Sequence, residues 1–412
     1  MTDFPPLVRP AAEKWRNPDR YWSDIARATA HLDSPVGVIE HAALSHNAFD
    51  MLDRAAGIPI RIASKSVRVR AVLDAVLALP GFEGVLAYTL DEALWLAQTI
   101  DDVVVGYPTV ERGPLTVLAL SAELASRVTL MVDSIEQLDL IDSIRPPGGR
   151  ESIRVAIELD MSYSSRLLGR LGVWRSPVRT ADDALELARA ITMRAGFRLV
   201  GMMAYESQVA GVPDAQPGRA LESAMVKDMQ RRSFAELCAR RASAVTAVRG
   251  IADLEFVNGG GTGSLHLTSG DPSVTELGAG SGLLAGHTFD GFTAFRPAPA
   301  SAWGLSVVRR PATDRVTVLG GGWVASGPSG ADRLPQVAWP EELSWAPREQ
   351  AGEVQSPLSG KAAGRMSVGD RVWFRHAKSG EASERLAEFA IVHDGTVVAT
   401  VPTYRGEGKA FL

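Results

Sequence analysis

The sequence has a single cysteine, Cys238, so no internal disulfide is possible and a secreted disulfide scaffold is excluded. Basic residues are not in excess, because 43 Lys and Arg stand against 48 Asp and Glu. This balance gives no reason to expect a nucleic-acid partner. No run of about 18 uninterrupted apolar residues occurs, so we expect no membrane span. Residues 1–22 carry charges and prolines without an apolar core, which is unlike a signal peptide, and we expect a cytoplasmic protein.

The composition is that of an ordinary globular protein, with 46% hydrophobic residues, and strand and helix patterns alternate along it. Amphipathic stretches at 44–56, 91–99, 181–195 and 220–248 predict helices, the third with Thr180 as its N-cap. Such alternation implies parallel strands, and eight units predict a closed (β/α)8 barrel of the TIM type, with an open doubly wound sheet as the alternative. The β-branched runs, most of them apolar on both faces, are 35–41, 58–65, 84–89, 102–108, 127–134, 153–160, 199–206 and 255–261.

Beyond about residue 285 the composition of the sequence changes, and prolines, glycines and tryptophans become frequent. Two hairpins are predicted there, one of them around Asp394-Gly395, and this region is predicted to be an antiparallel β domain. We therefore expect an N-terminal segment, a barrel domain and a C-terminal β domain, with the N-terminal segment packing on the β domain. The hairpin arms are 306–310 with 315–319 and 388–393 with 396–402, and the expected parts are 1–30, 31–285 and 286–412.

Lys65 follows the second predicted strand, at the end of a barrel where active sites lie. A lysine at a barrel mouth is expected to be partly desolvated, which makes its amine nucleophilic. The alternative is an ordinary surface lysine at a strand end. The other predicted strand ends present Tyr88, Tyr107, Asp133, Asp160, Tyr205 with Glu206, and Asn258.

A glycine-rich stretch, VNGGGTGS at 257–264, follows the last predicted strand. Successive glycines let backbone N–H groups approach an anion closely, and Thr262 and Ser264 add hydroxyl donors. Barrels often bind phosphate in the loops after their last two strands. The stretch 278–286 is a candidate to close the same site through Ser281, although a glycine run is also consistent with a simple turn.

Further candidates are polar side chains whose alternative is an ordinary structural role. Arg166 and Arg170, just past the sixth predicted strand, are candidate hydrogen-bond donors at the barrel mouth. Tyr205 ends a strand and is a candidate to contact a bound molecule or to pack at the rim. In the β domain, the segment RVWFRHAKSGEASE combines a histidine with carboxylates, which are metal-ligand types: His376, Lys378, Glu381 and Glu384.

Taken together, these stretches resemble the D-threonine aldolase and D-serine dehydratase family, pyridoxal-phosphate enzymes with the alanine-racemase type of fold. The resemblance runs from about residue 33 to the C-terminus and looks most like a bacterial branch described as amino acid deaminase/aldolase. No single motif is decisive, but their order and spacing are fairly specific. The matching stretches are SPVGVIEHAALSHNAFDML, IRIASKS, VDSIEQLDLI, VAIELD, RLGV, LVGMMAYES, VNGGGTGS, VTELGAGS and TYRGEG.

The resemblance implies that Lys65 binds pyridoxal 5'-phosphate covalently and that the glycine loop holds its phosphate. Arg170 would face the pyridine nitrogen, with Arg166 as the competing choice, and Tyr205 would line the cofactor. The family implies a small-molecule amino-acid substrate and a homodimer in which the β domain of one subunit meets the barrel of the other. The implied cofactor-binding residues are Lys65, Arg166, Arg170, Tyr205, Asn258, Gly260, Gly261, Thr262, Gly263, Gly280 and Ser281.

The chain departs from this family at a metal motif. Members commonly carry His-x-Cys or His-x-Asp near the C-terminus and bind a divalent metal there, whereas this chain has His376-Ala377-Lys378. A protonated lysine cannot be a ligand, so three outcomes stay open. Glu381 or Glu384 supplies a second ligand to His376 for zinc, manganese or magnesium, the Lys378 ammonium stands where the metal was, or that function is lost.

The expected activity is lyase action on a β-hydroxy-D-amino acid, by retro-aldol cleavage to glycine and an aldehyde. Lys65, His376 and Lys378 are its predicted catalytic residues. A D-serine or D-threonine dehydratase that yields a 2-oxo acid and ammonia is the alternative. A racemase, in which Tyr404 would have to be the second base, and a non-catalytic pyridoxal-phosphate carrier are further readings.

Overall fold

A computed structural model describes residues 4–165 and 169–412 of the chain. The α-helices within these ranges are α1 Pro18–Ala28, α2 His41–Ala55, α3 Arg70–Leu77, α4 Leu90–Leu96, α5 Arg112–Leu120, α6 Ala122–Arg127, α7 Ile135–Ile144, α8 Ala181–Thr192, α9 Ser207–Ala210, α10 Ala220–Arg249, α11 Leu265–Thr268, α12 Ser281–Leu284 and α13 Glu381–Arg385. The strands are β1 Val36–Glu40, β2 Ile60–Ala63, β3 Phe82–Ala87, β4 Val103–Val105, β5 Val128–Val132, β6 Ile153–Glu158, β7 Tyr163–Ser165, β8 Gly169–Leu171, β9 Phe197–Ala204, β10 Phe256–Gly259, β11 Glu276–Ala279, β12 Ser301–Ala312, β13 Arg315–Leu319, β14 Gln336–Trp339, β15 Leu343–Trp345, β16 Gln355–Gly360, β17 Arg371–Arg375, β18 Glu388–His393 and β19 Thr396–Pro402.

Parallel strands close into a barrel in the order β10-β11-β2-β3-β4-β5-β6-β9. Strands such as β4 and β5 are buried along their whole length, because helices cover the outside and side chains fill the inside. The predicted TIM-type barrel is confirmed, and so is the N-cap of α8, where Thr180 and Asp183 form a capping box. The side chains that pack together inside the barrel are Leu86, Val104, Met131, Ala156, Val200, Met203 and Phe256.

The predicted barrel strand at 35–41 is wrong. β1 lies outside the barrel, antiparallel to β12 and parallel to β18 in the second sheet. The remaining barrel strand is β11, which pairs with β10 and β2. Its last two residues belong to the stretch 278–286 that was expected to be a glycine-rich loop. All five residues of β1 are buried, so its pattern matches that of a barrel strand, whereas β11 has four residues that include Gly278.

The second domain is a larger sheet that follows the path β15-β16-β13-β12-β1-β18-β19, with β17 paired to β12 and β14. Its pairs are antiparallel except for β1 with β18. Both predicted hairpins are confirmed, β12 with β13 and β18 with β19. Asp394 and Gly395 take φ angles of 47° and 75°, the left-handed values that a tight two-residue hairpin turn requires.

Helix α1 packs on this second sheet through an apolar face of Tyr21, Trp22 and Ile25. The Trp22 ring stacks on Trp373 with centroids 6.5 Å apart. The domain boundaries at residues 30 and 285 stay a prediction. No helix within the described ranges is long and apolar enough to cross a bilayer.

Candidate active site

A cavity of about 310 Å³ opens at the C-terminal ends of the barrel strands. It collects residues that are far apart in sequence, because parallel strands all end at the same rim. The second domain contributes to its wall through Lys378 and Ser379. The polar and glycine residues that line it are Lys65, Ser66, Gly106, Tyr107, Glu158, Arg175, Tyr205, Ser207, Gly211, Asn258, Gly260, Gly261, Thr262, Gly278, Gly280, Ser281, Thr288, Lys378 and Ser379.

Lys65 lies two residues beyond β2, and its Nζ donates a hydrogen bond to the Tyr107 hydroxyl at 2.8 Å. Its backbone is held in place, since the Lys65 carbonyl accepts from Arg68 Nε at 2.9 Å and the Ser66 hydroxyl lies 2.8 Å from that of Ser379. Lys65 is exposed, whereas partial desolvation was expected. Its amine, on a fixed backbone, is nevertheless well placed to react with a carbonyl compound in the cavity.

The glycine loop and the turn after β11 face each other across one side of the cavity. Thr262 Oγ1 lies 3.1 Å from Ser281 Oγ and accepts a hydrogen bond from the Gly282 N–H at 3.0 Å. A Cβ at position 280 would lie 2.3 Å from the Ala63 carbonyl oxygen, and one at position 261 would lie 2.8 Å from Ala210 Cβ. Only glycine fits at both positions, so two hydroxyls and close backbone form a cradle suited to a phosphate group.

Of three other residues predicted for this region, Asn258 and Tyr205 line the cavity and Gly263 does not. Asn258 lines the cavity, and its Nδ2 donates to Glu276 Oε1 at 2.9 Å. Tyr205 lines it as well, and burial raises the pKa of its phenol to about 12. Gly263 is not among the described residues of the cavity wall, because it packs where a Cβ would meet Ala210 and Phe292.

A buried carboxylate, Glu206, fixes the glycine loop from behind. It accepts from the Gly260 N–H at 3.1 Å, from the Thr268 hydroxyl at 2.5 Å and from the Ser264 hydroxyl at 3.4 Å. Arg241 donates to it at 2.9 Å and to Asp271 at 2.7 Å, and the side chains of Arg241 and Glu206 have no exposed surface. The conformation of the loop therefore depends on this ion-paired network.

Arg170 does not reach the cavity, contrary to prediction. Its guanidinium donates to the Ser162 hydroxyl at 2.6 Å and lies 3.0 Å from the buried Asp160 carboxylate. Arg175 lines the cavity instead, with its guanidinium 5.8 Å from the centre of the Tyr107 ring. The competing candidate, Arg166, lies outside the described residues.

Glu158 ends β6 at the cavity wall and carries an unusual carboxyl group. Burial raises the pKa of Glu158 to about 7, and the nearby Asp133 carboxylate adds to the shift while Arg175 opposes it. Near neutral pH this carboxyl can therefore either donate or accept a proton inside the cavity.

Of the residues predicted to bind a metal, Glu381 turns toward its own loop. Its two oxygens accept from the Lys378 N–H at 2.9 Å and from the Ser379 N–H at 2.5 Å. His376 is buried, and neither of its ring nitrogens has a hydrogen-bond partner. Burial lowers the pKa of His376 to about 4. The described parts of the chain contain no cluster of three or more His, Cys, Asp or Glu that would hold a metal.

Of the four candidate residues in this segment, Lys378 is the one that lines the cavity. Burial, reinforced by the charges of Arg333 and Lys65, lowers the pKa of its amine. The loop that carries it is fixed to the segment that follows α12, since the His287 and Thr288 N–H groups donate to the His376 and Ala377 carbonyls at 3.0 Å. Lys378 therefore places a cationic group at the cavity on a loop whose backbone is fixed.

Tyr404 is not available as a base in the cavity. It is buried, and its hydroxyl donates to Glu92 Oε1 at 2.9 Å. Burial and the Glu92 carboxylate raise the pKa of its phenol well above the usual value. The residue that a racemase would need is thus committed to a structural contact.

Three titratable side chains of the cavity wall had no role assigned from the sequence: Tyr107, Glu158 and Arg175. Tyr107 was named among the residues at the predicted strand ends, but nothing in the sequence indicated that it contacts Lys65. Glu158 was hidden because the predicted strand continued to residue 160, whereas β6 ends two residues earlier. Arg175 follows the β7–β8 hairpin, and no sequence pattern distinguished it from Arg170.

The chain is similar to known proteins both in sequence and in three-dimensional structure. The chain is 29% identical to a D-threonine aldolase from an Arthrobacter species over 311 residues, which are 71% of this chain and 72% of that one. In three dimensions it resembles D-threonine aldolase from Filomicrobium marinum, with a TM-score of 0.75 at 22% identity over 92% of this chain and 96% of that one.

A second solved structure, D-threo-3-hydroxyaspartate dehydratase from Delftia sp. HT23, has a TM-score of 0.69 at 20% identity and covers 90% of this chain and 97% of that one. Residues 39–255 match the family described as "Alanine racemase, N-terminal domain". That match spans more than half of the 412 residues, and the chain therefore belongs to the alanine racemase N-terminal domain family.

Proposed function

We propose that this protein is a pyridoxal-phosphate-dependent lyase that cleaves a β-hydroxy-D-amino acid into glycine and an aldehyde. One observation carries the proposal: the Lys65 amine shares a single cavity at the barrel mouth with the cradle of Gly261, Thr262, Gly280 and Ser281. The relative from Arthrobacter, a D-threonine aldolase, supports the choice of reaction.

The residues present fit the cofactor. Lys65 would hold its aldehyde carbon, the cradle its phosphate, and Arg175 or Glu158 the pyridine end. When bound, pyridoxal phosphate supplies an electron sink for the bond that breaks at the substrate α carbon. The protein decides which bond breaks through the groups it places around that carbon.

Lys378 is our candidate for the group beside the substrate's β-oxygen. Its cationic amine would stabilise negative charge that develops on this oxygen as the Cα–Cβ bond breaks. Because Lys378 stands at the second ligand position of the family's His-x-Cys and His-x-Asp motifs, we propose that its charge takes this role without a divalent metal.

Dehydration is the second candidate, because the freed Lys65 amine lies in the same cavity and would be positioned to remove the α proton. A racemase is disfavoured, since Tyr404 is buried against Glu92. A non-catalytic carrier is also disfavoured, because Lys378 of the second domain completes the cavity. A homodimer in which the second domain of one subunit approaches the barrel of the other remains our proposal for the assembly.

The test is product analysis after incubation of the purified protein with D-threonine and pyridoxal phosphate, with and without a chelator. Glycine and acetaldehyde, formed equally with chelator, are the expected result. Loss of activity with chelator would overturn the metal-independent role of Lys378. 2-Oxobutyrate and ammonia would identify the dehydratase, and absence of both product pairs with several β-hydroxy-D-amino acids would reject the lyase.

A further inference from the structure

Lys65 and Tyr107 separate two cavities. Besides the barrel-mouth cavity, an open cavity of about 400 Å³ lies outside it, lined by Lys65, Arg68, Tyr88, Tyr107 and Leu412. Lys65 and Tyr107 are the two residues that line both. The contact between them therefore lies at the boundary between the proposed cofactor site and the solvent side.

The contact joins two fixed points of the backbone. Tyr107 follows β4, which is buried along its length, and the Gly106 N–H before it donates to the Ala87 carbonyl at 2.8 Å. On the other side, the contacts of the Lys65 carbonyl and of Ser66 hold the lysine backbone. The fold thus fixes both backbones, and from them the Lys65 Nζ reaches the phenol oxygen at 2.8 Å.

We propose that Tyr107 is the proton-transfer partner of Lys65. This inference rests on the proposed function, in which Lys65 bonds to and leaves the cofactor. An ammonium cannot attack a carbonyl, so Lys65 must lose a proton before it bonds and must gain one after it leaves. The phenol is the group that touches the atom concerned.

A phenol hydroxyl suits this task because it both donates and accepts hydrogen bonds. As an N–H bond of the Lys65 ammonium breaks, its proton bonds to the Tyr107 oxygen, and the original phenol proton passes to a water in the outer cavity. Charge and atoms balance, since a neutral amine and a protonated water result and the phenol is unchanged.

The experiment compares wild type with Tyr107→Phe, which keeps the ring and removes the hydroxyl. Apoprotein is mixed with pyridoxal phosphate in a stopped-flow instrument, and absorbance follows formation and release of the Lys65 adduct. We expect both rates to fall about 100-fold, the lower end of what a positioned proton-transfer group contributes. The equilibrium affinity should stay within about twofold, because a proton carrier speeds both directions alike. Added imidazole, a diffusible proton carrier, should restore the rates.

Tyr88→Phe is the matched control, because Tyr88 lines the same outer cavity and its ring contacts the Arg68 guanidinium and the Phe411 ring. Its adduct rates should equal those of wild type. Unchanged rates in Tyr107→Phe, or rates lost together with equilibrium affinity and without rescue by imidazole, would overturn the inference. If wild type itself forms no adduct at Lys65, the proposed function fails instead, so the two failures are distinguishable.

Discussion

Replacement of Glu206 should destabilise the protein far more than replacement of a comparable acid in an exposed pair. The Glu206 side chain is fully buried, and Glu206→Leu removes the acceptor of Arg241, of the Gly260 N–H and of two hydroxyls. Arg241 keeps its contact with Asp271, but it loses one of its two charge partners in a fully buried site. Breaking such a buried pair costs about 3–5 kcal/mol of unfolding free energy.

The chain offers a matched control in Arg61, which also lies between two carboxylates, Glu276 and Asp102. Asp102 differs from Glu206 because its side chain is 49% exposed. Asp102→Leu should therefore cost about 1 kcal/mol or less. Glu206→Gln keeps one acceptor oxygen and should cost about 1–2 kcal/mol, the difference between hydrogen bonds to charged and to neutral groups.

Urea unfolding of the apoprotein, followed by tryptophan fluorescence, measures these differences through the midpoint and slope of each curve. Glu206→Gln guards against the case in which the leucine variant fails to fold. A midpoint for Glu206→Leu as high as that of Asp102→Leu would refute the view that this network organises the loop. The glutamine variant should also bind pyridoxal phosphate more weakly while its affinity for pyridoxal, which lacks the phosphate, is unchanged.

Three further predictions concern the cavity. Arg175→Met should weaken equilibrium binding of pyridoxal phosphate at least about tenfold, whereas Arg170→Met should not; equal effects in a titration would contradict the assignment. Lys378→Met should abolish turnover and Lys378→Arg should retain part of it, and full turnover by the methionine variant would reject a role for the charge. The Glu158 pKa of about 7 exceeds its ordinary 4.5, so its contribution to apoprotein stability is complete below about pH 4.5 and is lost as the pH rises to about 7. Glu158→Gln should remove that loss, and a pH-independent difference from wild type in urea midpoint would show otherwise.

Most of the barrel was predictable because its strands are buried on both faces. Runs such as 127–134 and 199–206 are apolar at consecutive positions, and the strands β5 and β9 lie within two residues of them. The error at β1 has a physical origin, since strand burial does not specify a pairing partner. β1 pairs with strands more than 250 residues away in sequence, and a local pattern carries no information on such pairing.

The site was predictable where backbone chemistry demands a residue type, and less so where side chains meet across space. At positions 261 and 280 of the cavity wall, neighbouring atoms leave no room for a side chain, and Gly260 takes a φ of 81° that favours glycine. Arg170 lies away from the cavity because it pairs with Asp160, and the sequence does not show whether Asp160 pairs with Arg170 or with Arg175. The hydrogen bonds of the Glu381 carboxylate with the backbone N–H groups of Lys378 and Ser379 likewise depend on the folded loop and cannot be predicted from residue spacing.

The central claim is that Lys65 is the residue that binds pyridoxal phosphate. It is tested most directly by reduction of the protein–cofactor mixture with borohydride, followed by peptide mass spectrometry. A phosphopyridoxyl group on the peptide that contains Lys65, absent in Lys65→Ala, is the predicted result. Modification at Lys378 or at other lysines with Lys65 unmodified would contradict the account.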